Sequence, residues 1–346
     1  MAETAGAYAF DLDRFFPEDV FWRITDVRVD KPEIVALEQR SRKRRSHLAP
    51  DGKLVILAAD HPARMSTATP SDPLGMTNRH AYLGRVLRAL VGGLIDGLMA
   101  TPDVLDDVFI VNHLVKQGGG PGFLDGKVLL GSMNRSGLAG TTFEMDDDMT
   151  AYTADGIAEA NLDGAKVLWR LDPNEPGSGK TLMYIAEAVS ELSAMGLPSF
   201  LEPLPVKRTE NGYQPVKDPI ELLKQIGVLS GLGGNTARTW LKIPVCEGYE
   251  RVVRATTMPL LMLGGASHDN PEPTIREFAR GMGGGPNVRG AMVGRNVLYP
   301  GQDDPLAVGT VISEIIHNGI GPDEALGRLP RYQDQGIDLL TQYALS

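Results

Sequence analysis

The chain has 346 residues, 42% of them hydrophobic and 23% charged, with 34 Lys and Arg against 44 Asp and Glu and a net charge of −10. A chain of this length and composition buries a large core unaided, which excludes a disordered, collagen-like or disulfide-stapled protein. The acidic balance, with no long basic block, argues against nucleic acid or an anionic membrane as main partner, though not against a small anion held by local cations. The single cysteine, Cys246, forms neither an internal disulfide nor a thiolate zinc site alone. The N-terminus is acidic with no apolar segment of signal-peptide type, and no run reaches the ~18–20 apolar residues a membrane span needs. A cytoplasmic location is expected.

In chain order, the first 50 residues read as a helical extension that includes the basic run Ser41–Ser46, expected to be a solvated helix face. Eight short apolar runs follow, at 54–60, 97–101, 127–133, 166–172, 198–204, 239–245, 259–265 and 290–296, with helical patterns between most of them. The clearest helix covers 181–195, where Leu182, Ile185, Ala186, Val189 and Leu192 share one stripe and Gly196-Leu197-Pro198 stops it. Repeated strand–helix units imply parallel strands with helical crossovers. Eight of them predict the α/β class and one closed (β/α)8 barrel over residues 51–346, the last helices from 318 closing it.

Active sites of such barrels form at the C-terminal ends of the strands. The polar residues there are Asp60 and His61 after the first strand, Lys166 and Arg170 in the fourth, Glu202 in the fifth, Lys242 in the sixth, and glycine turns after the seventh and eighth. Lys242 interrupts TWLKIPV, and alternation places it on the inward face with Trp240 while Leu241, Ile243 and Val245 face the helices. Desolvation makes such a lysine partly neutral and able to attack a carbonyl; the alternative is a salt-bridged or snorkelling lysine. Lys166 is a second inward cation, able to depress Lys242 further. Glu202 lies between the two lysine strands, as a proton shuttle, an ion-pair partner of Lys166, or both. Gly264, Gly265, Ala266 and Ser267 after the seventh strand, with Gly294, Arg295 and Asn296 after the eighth, stand where barrels hold phosphate.

Other motifs count for less. PGSGKT at 176–181 lacks the first glycine of a P-loop, Asn174 standing there, and reads as the cap of the 181–195 helix. The six histidines, His47, His61, His80, His113, His268 and His317, have no metal-ligand spacing, so no metal is expected. The acidic run Glu144–Asp148 reads as a solvated loop rather than a divalent-ion site. Asn134 and Arg135 of the NRSGLAG loop are weaker site candidates. No GxGxxG follows the first strand, which disfavours a nicotinamide enzyme.

From about residue 50 to 318 this constellation resembles the class I, Schiff-base-forming aldolases built on TIM barrels, which include tagatose-1,6-bisphosphate, archaeal-type fructose-bisphosphate and deoxyribose-phosphate aldolases. AADHPAR resembles the motif after the first strand, matching on Asp60, with His61 as in the archaeal type. KVLWRLD, FLEPL and WLKIPV are similar to motifs that place a functional lysine on Lys166, a glutamate on Glu202 and the Schiff-base lysine on Lys242; VGRN is similar to the archaeal-type phosphate motif. The chain departs from the pattern at Leu263, where the archaeal type has serine, and at Leu204, near its tyrosine acid. The seventh strand lacks the second lysine of deoxyribose-phosphate aldolase, and residues 1–50 and 117–150 match nothing in these enzymes. The chain is also similar to aldolase-like barrels that actinobacteria carry beside inositol-catabolism enzymes.

The resemblance implies a lyase of carbohydrate metabolism that needs no cofactor and often forms homo-oligomers. Lys242 would be the nucleophile and Glu202 the general acid–base. Asp60 would position hydroxyls or assist proton transfer, and His61 would bind substrate. Lys166, as a further catalytic residue, would with Arg170 hold anionic substrate groups and tune Lys242. The amides of Gly265, Ala266, Gly294 and Arg295 would bind phosphate. The expected substrate is a phosphorylated ketose or keto acid, 6-phospho-5-dehydro-2-deoxygluconate among them. A transaldolase-like transfer, cleavage of a phosphorylated dione, and a non-catalytic sugar-phosphate-binding barrel are the alternatives.

Overall fold

The computed structural model describes residues 8–345 except Ser136, Asn211 and Lys217; the first seven residues of the expected extension and Ser136 of the NRSGLAG loop lie outside the described residues. Among the described residues nine strands form, β1 (Leu54–Ala59), β2 (Gly97–Ala100), β3 (Val128–Ser132), β4 (Gly164–Leu171), β5 (Ser199–Thr209), β6 (Gly212–Pro215), β7 (Thr239–Pro244), β8 (Leu260–Leu263) and β9 (Val288–Val293). All but β6 pair in parallel, in the order β4-β3-β2-β1-β9-β8-β7-β5, and β4 pairs with β5, so the sheet closes into an eight-stranded barrel. β6 forms an antiparallel hairpin with the extended end of β5. Helices α1 (Leu12–Phe15), α2 (Glu18–Asp30) and α3 (Glu33–Ser41) precede β1. The crossovers carry α4 (Arg79–Leu90), α5 (Pro102–Gln117), α6 (Ala154–Glu159), α7 (Pro176–Ala194), α8 (Pro219–Leu229), α9 (Tyr249–Val253) and α10 (Glu272–Met282). After β9 come α11 (Arg295–Leu298), α12 (Pro305–Asn318), α13 (Pro322–Tyr332) and α14 (Leu339–Tyr343).

Two-residue alternation sorts the strand side chains. Leu54, Ile56, Ala58, Met99, Val128, Leu130, Phe200, Leu261 and Met292 fill the barrel. Val55, Leu57, Leu98, Leu129, Val167, Leu201, Leu241 and Ile243 face the helix layer, so both faces of each strand are covered. Each fully buried aliphatic side chain contributes about 1.5–3 kcal/mol. Against β8, β9 carries an extra residue: Leu260 pairs with Val288 but Met262 with Ala291. Gly290 sits in this bulge at φ +133°, where a Cβ would lie 1.8 Å from the Leu54 carbonyl oxygen, so only glycine lets β9 close on β1.

The basic run is not a solvated face. Arg42 is buried and its guanidinium lies 3.1 Å from Asp163, Arg44 lies 2.8 Å from the same carboxylate, and Arg45 lies 2.9 Å from Asp96. Asp163 also accepts from the Leu129 amide and Asp96 from the Val55 amide. The run therefore straps the N-terminal end of the barrel, and Leu48 and Ala49 just after it pack against the interior cluster. Its carboxylate partners lie far along the chain, out of reach of any local reading.

At the helix layer, buried Arg88 of α4 grips Asp304 with two hydrogen bonds of 2.8 and 2.6 Å, and Asp304 also caps α12 through the Leu306 amide. α7 begins at Pro176, so the PGSGKT run is the first turn of that helix rather than its cap, and Lys180 pairs with Asp146. Among the described residues no helix is long and apolar enough to cross a membrane.

Candidate active site

The inward faces of four strands converge at the C-terminal end of the barrel. Asp60 continues the Ile56–Ala58 face past the end of β1, Lys166 lies on β4, Glu202 on β5 and Lys242 on β7. Lys166 is opposite Phe200 in the β4–β5 register, one inward step deeper than Glu202, so its side chain rises to meet it. Phe200 and Trp240 stack with ring centroids 5.8 Å apart beneath this layer.

The four groups form a chain of alternating charge. Lys166 Nζ lies 3.0 Å from Asp60 Oδ2 and 3.0 Å from Glu202 Oε2, and Lys242 Nζ lies 3.0 Å from the same Glu202 oxygen. All four residues are buried. The two lysines are not equivalent. Burial works to lower Lys166, but Asp60 and Glu202 together hold it above the ordinary lysine value. Burial and the nearby Lys166 ammonium outweigh Glu202 at Lys242, which is pushed down. Burial opposes ionisation of Glu202, yet the two ammoniums bring it to about 2. Asp60 is likewise held well below the usual carboxylate range by Lys166 and then Arg64, against the cost of burial. The neutral amine that nucleophilic attack requires is thus most accessible at Lys242.

Around this layer stand His61 and three arginines. His61 is buried with its Nδ1 lacking an acceptor and 3.9 Å from Asp60; burial and then Arg64 push it well below the ordinary histidine value, so its ring is neutral. Arg64 Nε lies 3.7 Å from Asp60. Sequence reasoning missed Arg64, which ends the short 3-10 turn Pro62–Arg64; its spacing of four from Asp60 was the available signal. Arg170 and Arg295 are each brought down to about 10, by burial and then by Arg64. The Nε atoms of Arg64, Arg170 and Arg295 are buried without hydrogen-bond acceptors.

The glycine turns sit side by side. Asn296 donates to the Gly264 carbonyl, and Ser267 donates to the Tyr299 carbonyl at 2.6 Å, tying the turn after β8 to the one after β9. Gly265 is in the left-handed region at φ +66° and faces open space, with Ala266 exposed beside it. A Cβ on Gly294 would lie 2.4 Å from the His61 ring, so glycine is what lets the ring approach this turn.

Other expected residues have different work. The acidic run is not a solvated loop: Glu144 and Asp147 are buried, and Glu144 pairs with Arg170. Asn134 accepts from the Leu168 amide and donates to its carbonyl, pinning β4 to the end of β3, and Arg135 donates to Thr150 at 3.1 Å. Among the described residues no group of three or more His, Cys, Asp or Glu is placed to hold a metal ion.

The family model described as Cgl0159-like matches residues 52–312. The solved structure of Cgl0159 from Corynebacterium glutamicum is 36% identical, with a TM-score of 0.80, covering 87% of this chain and 98% of that one. An archaeal fructose-1,6-bisphosphate aldolase, described with its catalytic lysine covalently bound to the carbinolamine intermediate, is 17% identical, with a TM-score of 0.53 over 82% of this chain and 99% of that one. A fructose-bisphosphate aldolase from Slackia heliotrinireducens is 15% identical, with a TM-score of 0.62 over 94% and 97% of the two chains. At these identities the two aldolases share the barrel fold. No curated protein sequence matches the chain.

Proposed function

The chain belongs to the Cgl0159-like family, and from that premise and the geometry of its four-residue charge chain we propose that it is a class I aldolase acting through a Schiff base on Lys242. The observation that supports this reading above the others is one carboxylate, Glu202, bridging two buried lysines of opposite tendency. Glu202 takes a proton from the Lys242 ammonium, and the neutral amine attacks the substrate ketone. Glu202 returns that proton to the alkoxide and then takes a second one from the nitrogen. The resulting carbinolamine loses water, its hydroxyl protonated by Glu202, to give an iminium. The iminium accepts the electron pair of the breaking C–C bond as the enamine forms, and a carboxylate accepts the proton of the neighbouring hydroxyl as the aldehyde leaves. Asp60 orients that hydroxyl, and Lys166 keeps both carboxylates ionised. His61 donates to substrate oxygens as a neutral imidazole.

The phosphate of the substrate lies against the amides of Gly265, Ala266 and Gly294 and the guanidinium of Arg295, with Arg64 beside them. Orphaned buried N–H groups of this kind are costly without an acceptor, and a phosphoryl group supplies several. The substrate is a phosphorylated ketose or keto acid; one candidate is 6-phospho-5-dehydro-2-deoxygluconate, cleaved to dihydroxyacetone phosphate and malonate semialdehyde.

Borohydride reduction in the presence of dihydroxyacetone phosphate, followed by peptide mapping, tests the reading. The expected result is an adduct on Lys242, lost in Lys242→Ala together with turnover. An adduct on Lys166 would reverse the lysine roles. Full turnover in Lys242→Ala, or its abolition by a chelator, would refute the mechanism.

A further inference from the structure

The mouth of the barrel has two unequal sides. Near β1 and β9, Arg64 and Arg295 present Nε–H groups with no internal acceptor, and His61 a free Nδ1. On β4, Arg170 follows Lys166 and Leu168 on the inward face, but its guanidinium is already held by Glu144. Glu144 comes from the loop after β3 rather than from a barrel strand. Its other oxygen accepts the Gly140 amide at 2.8 Å. The loop is seated by the Asp147 amide on Thr181 at 2.9 Å, by Thr181 on the Met145 carbonyl at 2.9 Å and by the Ala139 amide on the Arg64 carbonyl at 3.2 Å.

The charge chain does not need Glu144, because Lys166 already has Asp60 and Glu202. Arg170 does need an anion, because a nearly buried guanidinium without one is strongly unfavourable. An uncharged substrate end cannot replace Glu144 there. A substrate carboxylate can, with no change in the charge balance and with the planar match a guanidinium offers. Arg170 Nε remains buried and without an acceptor even with Glu144 in place, so the guanidinium has donor capacity left for such a group.

We propose that Glu144 is an internal stand-in for a substrate carboxylate at Arg170. The site then takes a phosphorylated keto acid, with its phosphate at the β8 and β9 turns and its far carboxylate on Arg170, and binding displaces Glu144. This rests on the aldolase reading for the orientation of the substrate and narrows its substrate class.

Calorimetric titration with 4-phosphoerythronate and with erythritol 4-phosphate tests it. The two share a phosphate and differ in a carboxylate, and neither has a ketone to form an imine. The wild-type protein binds the acid more tightly than the alcohol. Glu144→Gln, which removes the competitor and keeps its volume, tightens the acid about tenfold, the size of one charge-assisted hydrogen bond, and leaves the alcohol within about twofold. Arg170→Gln removes the preference for the acid. The same acid-to-alcohol ratio in Glu144→Gln as in wild type, a preference that persists in Arg170→Gln, or no binding of either ligand to any form would overturn the proposal. Failure to trap an imine on Lys242 would instead overturn the aldolase reading and leave these titrations standing.

Discussion

Replacing Glu202 by glutamine separates the electrostatics of the site from its shape. One Glu202 oxygen is 3.0 Å from each lysine nitrogen, so the two ammoniums are no more than about 6 Å apart. At an effective dielectric of about 20, each attraction is of order 5 kcal/mol and the repulsion between the ammoniums about 3 kcal/mol. Desolvation offsets much of the attraction, and the net cost of removing one partner from a buried ion pair is about 3–5 kcal/mol. Glu202→Gln should therefore lower the melting temperature of this 346-residue chain by roughly 4–7 °C at neutral pH. Glu202 is depressed to about 2 in the folded protein. Its stabilisation is fully present above the ordinary carboxylate value and is lost as pH falls from about 4.5 to about 2, so the variant and wild type converge in acid. The same change removes the attraction that holds a proton on Lys242, leaving burial and Lys166 to push it lower. Imine trapping should then persist and its pH profile move down, while C–C turnover falls about 10²–10⁴-fold for want of the proton carrier. Thermal unfolding from pH 2 to 8 and borohydride trapping over the same range read both effects. A melting temperature within 2 °C of wild type at neutral pH, or a trapping profile that moves up, would refute the reasoning.

Lys166→Met removes the cation that lowers Lys242, so its trapping profile should move to higher pH, opposite to Glu202→Gln; an unchanged profile would mean that Lys166 does not tune the nucleophile. Arg88→Ala breaks a fully buried bidentate pair with Asp304 and leaves a carboxylate stranded. It should cost about 3–5 kcal/mol in urea unfolding, far more than the ~0.5 kcal/mol of an ordinary surface change. His317 bonds Asp96 at 2.8 Å and Asp51 at 2.7 Å, and the bond to Asp96, against partial burial, raises its pKa. That stability is present below the ordinary histidine value and lost as pH rises through the raised one. His317→Gln should thus cost about 1 kcal/mol at pH 6, after allowance for solvent screening of the partly exposed ring, and almost nothing at pH 9. A cost that is constant with pH would show that the contacts are not charge-dependent.

The amino-acid sequence by itself determined the eight barrel strands and the direction of their side chains, but not the β5–β6 hairpin. Inside a fully covered parallel barrel the strand alternation has two apolar environments, and a lysine in TWLKIPV or a glutamate in FLEPL is conspicuous because hydrophobic neighbours fill the remaining places. The direction of Lys242, with Trp240 on its face, followed from period two alone. What the sequence left open was pairing across the chain. Glu202 could bridge to Lys166, to Lys242 or to both, and only barrel closure, with β4 on β5 and β5 on β7, brings the two ammoniums to one oxygen. The charge runs misled for the same reason. Arg42, Arg44 and Arg45 look like a solvated stripe until Asp163 and Asp96 are carried beneath them, and Glu144 looks like part of a polar loop until the turn after β3 lays it on Arg170. Local periodicity registers which face a residue occupies, because burial on one face repeats every two residues. It holds no record of which distant charge will share that face, because that depends on the closure of the barrel and the path of its loops.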